Sequence, residues 1–424
     1  MKQTLSQNTQ SLSHLDIEGG GQIVVSDGYA YIGHMKPPHG TSIVDISDPR
    51  KPRITARLET SPWSHTHKVR VCGDIMITNV EQDRRHYLRR QAQQLVDSRE
   101  SLSISLGREP EPSEIADTIG LSLDDLADIE SALERGYDEG GFKVWDISDR
   151  SNPRLLSHTR THGFGVHRFD MDERYAYIST EMPGYIGNIL VIYDLTNPEK
   201  PEEISRWWMP GQHLEGGETP AWEGYGHRLH HALRVGDELW ASVWHAGFRV
   251  IDISDITQPR TLATHTYHPW VVEPTHTVLP VIPRIDGRRI AVVADEEHDH
   301  RHGQPHAGLW LFDITDLDDI RPLSTFHVSE MDSPWSRAPG RFGMHQFQEH
   351  IDDHLVYCAW FAGGLRIVDI SDPLRPQEAG FYIPAPTAGE PCPQTNDVDV
   401  DERGLIYLLD RNCGIDVVEF QHHG

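Results

Sequence analysis

Residues 226–255 read GHRLHHALRVGDELWASVWHAGFRVIDISD. The stretch opens on a histidine cluster (His227, His230, His231) and runs through two apolar segments. It turns at Gly247 and ends in an apolar strand closed by Asp-Ile-Ser-Asp. β-Branched and aromatic residues fill the segments, while Gly and Asp punctuate them, which is the pattern of short strands joined by tight turns.

The same unit recurs. An apolar strand followed by Asp, an apolar residue, Ser or Thr and then Asp or Asn appears at Ser42, Phe142, Leu190, Phe248, Leu309 and Leu365, with a degenerate copy, GIDVVEF, at Gly414. The marked aspartates are Asp45, Asp146, Asp194, Asp252, Asp313 and Asp369. Most successive copies lie roughly 50–60 residues apart, a period that suits four-stranded propeller blades. The Asp-x-Ser/Thr-Asp run predicts a polar turn whose side chains bond their own backbone.

These units resemble the LVIVD-repeat family of β-propellers, and the resemblance runs through nearly the whole chain. It implies an all-β fold and leaves function open, because propellers host many activities. The copies predict a seven-bladed β-propeller forming a single domain over residues 1–424. The last blade, Asn396–Phe420, supplies only three strands. The N-terminal strand Ser11–Gly19 is expected to close the ring as its fourth, removing the edges that an open sheet would leave.

One interval, Asp45 to Asp146, is too long. The excess, residues 84–140, carries helical spacing at Leu123, Leu126, Ile129 and Leu133, with Ser113 and Ser122 as expected N-caps. It predicts a helical insertion in blade two. The GREPEPSEIADTIGLSLDDL portion is similar to a helical segment of bacterial sigma factors, but it is acidic and lacks a basic recognition face. A lid over the channel or a contact in a homo-oligomer is the expectation.

Composition narrows the function. The 424 residues carry a net charge of -27, the wrong sign for nucleic acid. No apolar run is long enough to span a membrane, and the N-terminus shows no export signal. Four cysteines (Cys72, Cys358, Cys392, Cys413) form no disulfide framework, so a cytoplasmic location is expected. The 27 histidines are the anomaly.

Aligning each blade on its innermost strand places Gly21, His67, His167, His231, His276, His345 and Asn396 at one position. The end of the second strand aligns Met35, Glu81, Glu181, His245, Glu296, Phe361 and Arg411. Antiparallel pairing puts both sets near one mouth of the channel. His227 and His230 fall in the preceding loop. Neutral imidazoles bind transition metals, and carboxylates behind them would fix each tautomer. The expected metal ligands are therefore His67, His167, His231, His276 and His345. Glu81, Glu181, Glu296 and His245 are the expected orienting or acid–base groups. Fe(II) is the first choice, with Cu, Mn or Zn as alternatives. A ring of His with outer Glu is similar in architecture to the carotenoid-cleavage oxygenases, and His near an axial metal to the selenium-binding-protein/methanethiol-oxidase propellers. Neither family's full motif set is present.

Loops on the same face add Trp222, Tyr225, Trp335, Arg337 and Arg341, which suit a small-molecule substrate. The segment Glu296–His306 is a second His and acid cluster, and Cys392 and Cys413 map nearby. No phosphate-binding Gly loop, no G-x-S-x-G elbow and no Cys/His nucleophilic pair is present. The expected function is a metal-dependent oxidoreductase. A metal-dependent lyase, isomerase or hydrolase is the alternative, and a non-catalytic scaffold is the second class.

Overall fold

The computed structural model describes residues 4–224, 226–298, 304–387 and 389–421. Each Asp-terminated repeat forms the third strand of a four-stranded antiparallel unit. The first unit is Gly20–Ser26, Tyr29–His34, His39–Asp45 and Arg53–Glu59, paired in that order. The second is Val69–Cys72, Ile75–Gln82, Gly141–Asp146 and Arg154–Arg160. Next comes His162–Met171, Tyr175–Glu181, Ile189–Asp194 and Glu202–Trp207. His227–Val235, Glu238–Trp244, Phe248–Asp252 and Arg260–His265 follow. After them come Thr275–Pro280, Ile290–Asp295, Leu309–Asp313 and Arg321–Phe326. Met344–Phe347, Leu355–Trp360, Gly364–Asp369 and Gln377–Ile383 repeat the order. Finally Thr395–Val400, Leu405–Asp410 and Cys413–Phe420 take Thr9–Glu18 as their outer partner. A further strand, Leu5–Gln7, pairs with Phe381–Ile383.

The turn chemistry follows the sequence reading. Each marked aspartate accepts the backbone N–H two residues on, as Asp45 does from Ser47 and Asp252 from Ser254. The second Asp of the run repeats the device, as Asp255 does with Thr257. These Asx turns hold the corner without Gly.

The core lies between adjacent units. Leu190 and Ile192 of one unit pack with Ala232, Leu239 and Ala241 of the next. The second strands are buried on both faces, so segments such as Ile290–Asp295 (IAVVAD) are apolar without alternation.

Three helices separate the strands Ile75–Gln82 and Gly141–Asp146: α1 (Arg85–Leu106), α2 (Pro112–Ile119) and α3 (Leu123–Arg135). They share a small core of Leu95, Ile115, Ala116, Leu126 and Ile129. Ser122 caps α3 by accepting from the Asp125 N–H. The expectation for Ser113 is corrected: Pro112 opens α2, and Glu111 caps it through a reciprocal box with Glu114. Among the described residues, no helix is long and apolar enough to cross a membrane.

Candidate functional site

The innermost strands share one distortion. Their pairing with the second strand slips by one residue at Gly21, His167, His276, His345 and Asn396. The residue after each slip is back in register: Gln22 opposite Gly33, Arg168 opposite Ser179, Thr277 opposite Ala294, Gln346 opposite Ala359 and Asp397 opposite Leu409. A bulge of this kind re-aims one side chain. The bulged residues, together with His67, line a cavity of 140 Å³.

The strand His227–Val235 corrects the alignment. His231 stands opposite Ser242, the place that Arg168 and Gln346 hold in their strands. His230 falls in a wider irregularity, between His227 and His231, and lines the cavity, and His231 does not. The partner strand shifts with it: Trp244 lines the cavity, whereas His245 sits beside His268, with ring centroids 5.6 Å apart. Glu181 also lies outside the lining, paired with Arg89 of α1.

The imidazoles form an arc. Ring centroids are 5.3 Å apart for His67–His167, 4.8 Å for His167–His230, 4.2 Å for His230–His276 and 4.4 Å for His276–His345. Burial holds all five well below the ordinary histidine value, so they are neutral at pH 7. Their hydrogen bonds set the tautomers. His230 Nδ1 donates to the His276 carbonyl at 3.0 Å, and His345 Nδ1 to the Asn396 carbonyl. His276 Nε2 accepts from Arg168 at 3.3 Å, while its Nδ1 donates to Thr277 Oγ1 at 2.7 Å. Each of these three therefore keeps its lone pair on Nε2. His167 Nδ1 accepts from Arg85 at 3.0 Å, so its hydrogen sits on Nε2 and is donated to His230 Nε2, 3.0 Å away.

His67 differs. The Asn79 amide is fixed by the Lys68 N–H (2.8 Å) and the Val166 carbonyl (3.0 Å), and it donates to His67 Nδ1 at 3.2 Å. The imidazole hydrogen of His67 is thereby placed on Nε2.

Among the described residues, two groups are close enough to chelate an ion: His276, Glu296 and His345, and His65, His67 and Glu81. Glu81 accepts from His65 at 2.8 Å, stands 3.3 Å from His167 and pairs with Arg85. Glu296 takes Arg341 at 2.6 Å and lies 3.9 Å from His276 and 3.8 Å from His345. Burial alone would raise its carboxyl, but His298, His345 and Arg341 hold it well below the usual range.

Below the arc lies a polar layer. Gln346 bonds Arg168 at 2.6 Å and also reaches Asp397, Lys68 donates to the Gly21 carbonyl at 2.9 Å, and His231 joins them against Ser242. A more open cleft of 960 Å³, lined by Asp27, Asp352 and Asp401 among others, has no imidazole cluster, its one histidine being His350.

Several lining residues had not been singled out: His65, Lys68, Arg85, His86, Arg228 and Trp244; His298 comes from the Glu296–His306 cluster. Arg85 and His86 open α1, so the helices reach the cavity mouth. Of the loop residues, Arg341 lines the cavity. Trp222 instead stacks on His227, Trp335 packs against the core and Arg337 pairs with Glu330. Cys392 is buried against the Pro339 carbonyl. In the Glu296–His306 segment, His306 is bonded to Glu297 at 2.6 Å. Tyr225, residues 299–303 and the Cys413 side chain lie outside the described residues.

The LVIVD repeat model matches residues 20–60 and 353–383. No curated protein matches the chain. Among solved structures, the WD40 β-propeller domain of Doa1 aligns with a TM-score of 0.53 at 8% identity, covering 98% of this chain and 97% of that one. A chain of the mitotic checkpoint complex gives 0.54 at 9% identity, covering 97% and 94%. The computationally designed Ika8 protein gives 0.50 at 8%, covering 96% and 99%. Likeness at this identity concerns fold alone. The chain is a mostly β protein that carries LVIVD repeats and has a propeller-like fold.

Proposed function

We propose that the chain is a metal-dependent enzyme, an oxidoreductase acting on a small organic molecule, built on a seven-bladed propeller with the helices inserted in the second blade. One observation carries this reading: four neutral imidazoles from four successive innermost strands, the half-buried His167 and the buried His230, His276 and His345, line one cavity. Three of them have Nδ1 engaged and the Nε2 lone pair left for a ligand bond. The Nε2 atoms of His167 and His230, bridged here by a hydrogen bond, stand 3.0 Å apart, which is also the separation of two ligands on one ion. Two nitrogens each about 2.1 Å from one ion at a right angle stand about 3 Å apart.

His230 and His345 would hold the ion, with His167 joining once its hydrogen moves from Nε2 to Nδ1, His276 released from Arg168 and Glu296 within reach. The described lining contains no cysteine, so the donor set favours Fe(II), with Mn, Zn or Cu as alternatives. Bound there, the metal would supply Lewis acidity and, if iron or copper, one-electron chemistry. The chain's own groups do the rest. Glu81 orients His167, and Arg341 keeps Glu296 ionised. His67, its hydrogen on Nε2, donates to substrate instead of ligating. Arg85 and His86 at the mouth narrow access.

Metal analysis tests this. Purified protein should carry about one transition metal per chain, and less than about 0.2 after reconstitution defeats the reading. His167→Ala and His230→Ala should each lower metal affinity by about 10- to 100-fold or more while leaving the β-sheet circular dichroism unchanged. Full metal content in both variants would remove these ligands.

A scaffold is the second reading, favoured by the exposed apolar residues Val96, Ile104 and Leu123 on the helices. It predicts that excising the helices abolishes function and that channel His variants keep it.

A further inference from the structure

We infer that the groove between α1 and α3 docks a basic amphipathic helix of a partner protein. None of the residues lining the groove lines the histidine cavity, so the docking stands apart from the metal chemistry.

A surface helix ordinarily has one apolar face, turned to the core, and a polar face toward water. α1 and α3 each carry a second apolar face. Their inner faces are buried: Leu88 and Leu95 on α1, Leu126 and Ile129 on α3. Ala92 and Val96 lie one turn apart on another side of α1, and Leu133 of α3 stands beside them. Val96 is 62% exposed and Leu133 42%. Contiguous apolar surface of this kind marks a contact with another molecule.

Ala92, Val96 and Leu133 are common to two adjoining depressions, of 720 and 440 Å³. The larger runs along α1 to Ser103. The smaller runs back to Leu88 and onto Phe164 of the strand His162–Met171. From Leu88 to Ser103 the groove follows α1 for about 22 Å, the length of a helix of four turns. Two packed helices leave a trough between them, and a third helix fills it with side chains that recur every three or four residues.

Charge decides the occupant. Residues 84–140 hold seven arginines and no lysine, against thirteen aspartates and glutamates. Glu100, Glu109, Glu130 and Glu134 rim the larger depression with one arginine, Arg99. Arg99 pairs with Glu130 at 2.8 Å and reaches Glu109 at 4.0 Å. Among the described residues, Glu100 and Glu134 enter no ion pair. A second copy docking helix to helix would set one acidic rim against another. A helix with apolar anchors and flanking Lys or Arg instead covers Val96 and Leu133 and meets Glu100 and Glu134.

Fluorescence anisotropy with the full-length protein tests this. The probe is a labelled sixteen-residue peptide of Leu, Ala and Lys, its leucines three and four residues apart. One twin has the same composition with leucines scattered round the helix, and another has Glu for Lys. The probe should bind at least about tenfold more tightly than either twin, with affinity falling as salt rises. Val96→Ser and Leu133→Ser should each weaken it about tenfold, as should Glu100→Lys combined with Glu134→Lys. Leu262→Ser, at an exposed leucine of the strand Arg260–His265, should leave it unchanged. Equal binding of the scattered twin would show attraction by charge alone, and equal binding of the Glu twin would show that charge plays no part. Either result overturns the inference, as does unchanged affinity in both folded serine variants. A self-associated chain in sedimentation that Val96→Ser returns to monomer would make a second copy the occupant and overturn it too. The peptide comparison uses the unaltered chain, so it decides even if a variant does not fold. Peptide binding without metal uptake would defeat the metal reading and leave the docking groove standing. Metal uptake without peptide preference would do the reverse.

Discussion

His230 and His231 are neighbours in sequence and occupy different layers. His230 faces the cavity, while His231 lies beneath it beside Ser242 and Arg168. A strand alternates its faces, so a slip of one residue exchanges these roles. Two adjacent histidines make both registers look equally good in the sequence. The bulge decides between them, and it is a property of pairing. Asp295 offers a separate test at this scale. It is buried, accepts from Tyr267 Oη and Trp310 Nε1 at 2.7 Å each, and burial raises its carboxyl to about 8. The folded chain therefore holds a proton that the unfolded chain releases near pH 4. Its stabilising contribution is complete below that pH and is lost as pH rises toward 8. Asp295→Asn should accept from Trp310 through Oδ1 and donate its amide to Tyr267 Oη, whose hydrogen can turn to Thr275 Oγ1, without ionising. In thermal melts its gain over wild type should grow from pH 5 to pH 8; a pH-independent difference would contradict the assignment.

The helices and the bulges are legible to different degrees. The spacing of Leu123, Leu126, Ile129 and Leu133 gives α3, and Leu126 and Ile129 are buried while Leu123 and Leu133 stay exposed. Ser122 is readable as a cap because its role is local, and Ser122→Ala should cost about 1 kcal/mol, seen in amide exchange of α3. The helices pack on a core of their own, and the strands they separate are antiparallel neighbours. Replacing residues 86–138 with a short Gly/Ser turn should therefore leave the β-sheet spectrum intact and remove His86 from the cavity mouth. Loss of the β-sheet spectrum would show that the helices are needed for folding. That Arg85 and His86 reach the histidines was not readable, because nothing local states where α1 begins relative to the channel.

At the scale of the whole molecule, the chain meets itself. Thr9–Glu18 pairs with Cys413–Phe420, so the outer strand of the last unit comes from the opposite terminus. Deleting residues 1–18 should expose the Cys413–Phe420 edge, lower the melting temperature and produce aggregates in light scattering. A monomeric truncation with an unchanged melting temperature would mean that closure is dispensable. The repeats, their Asx turns, the N-terminal closing strand and the abundance of histidine all follow from the sequence, because each rests on local propensity or on a period that repeats. The tertiary structure alone decided that His230 and Trp244, not His231 and His245, face the cavity. It also decided that Glu181 turns to Arg89, and that arginines from four distant segments, with Lys68, share one wall in an acidic chain. Those outcomes depend on pairing register and on the convergence of strands far apart in sequence, and neither quantity is encoded at any single position.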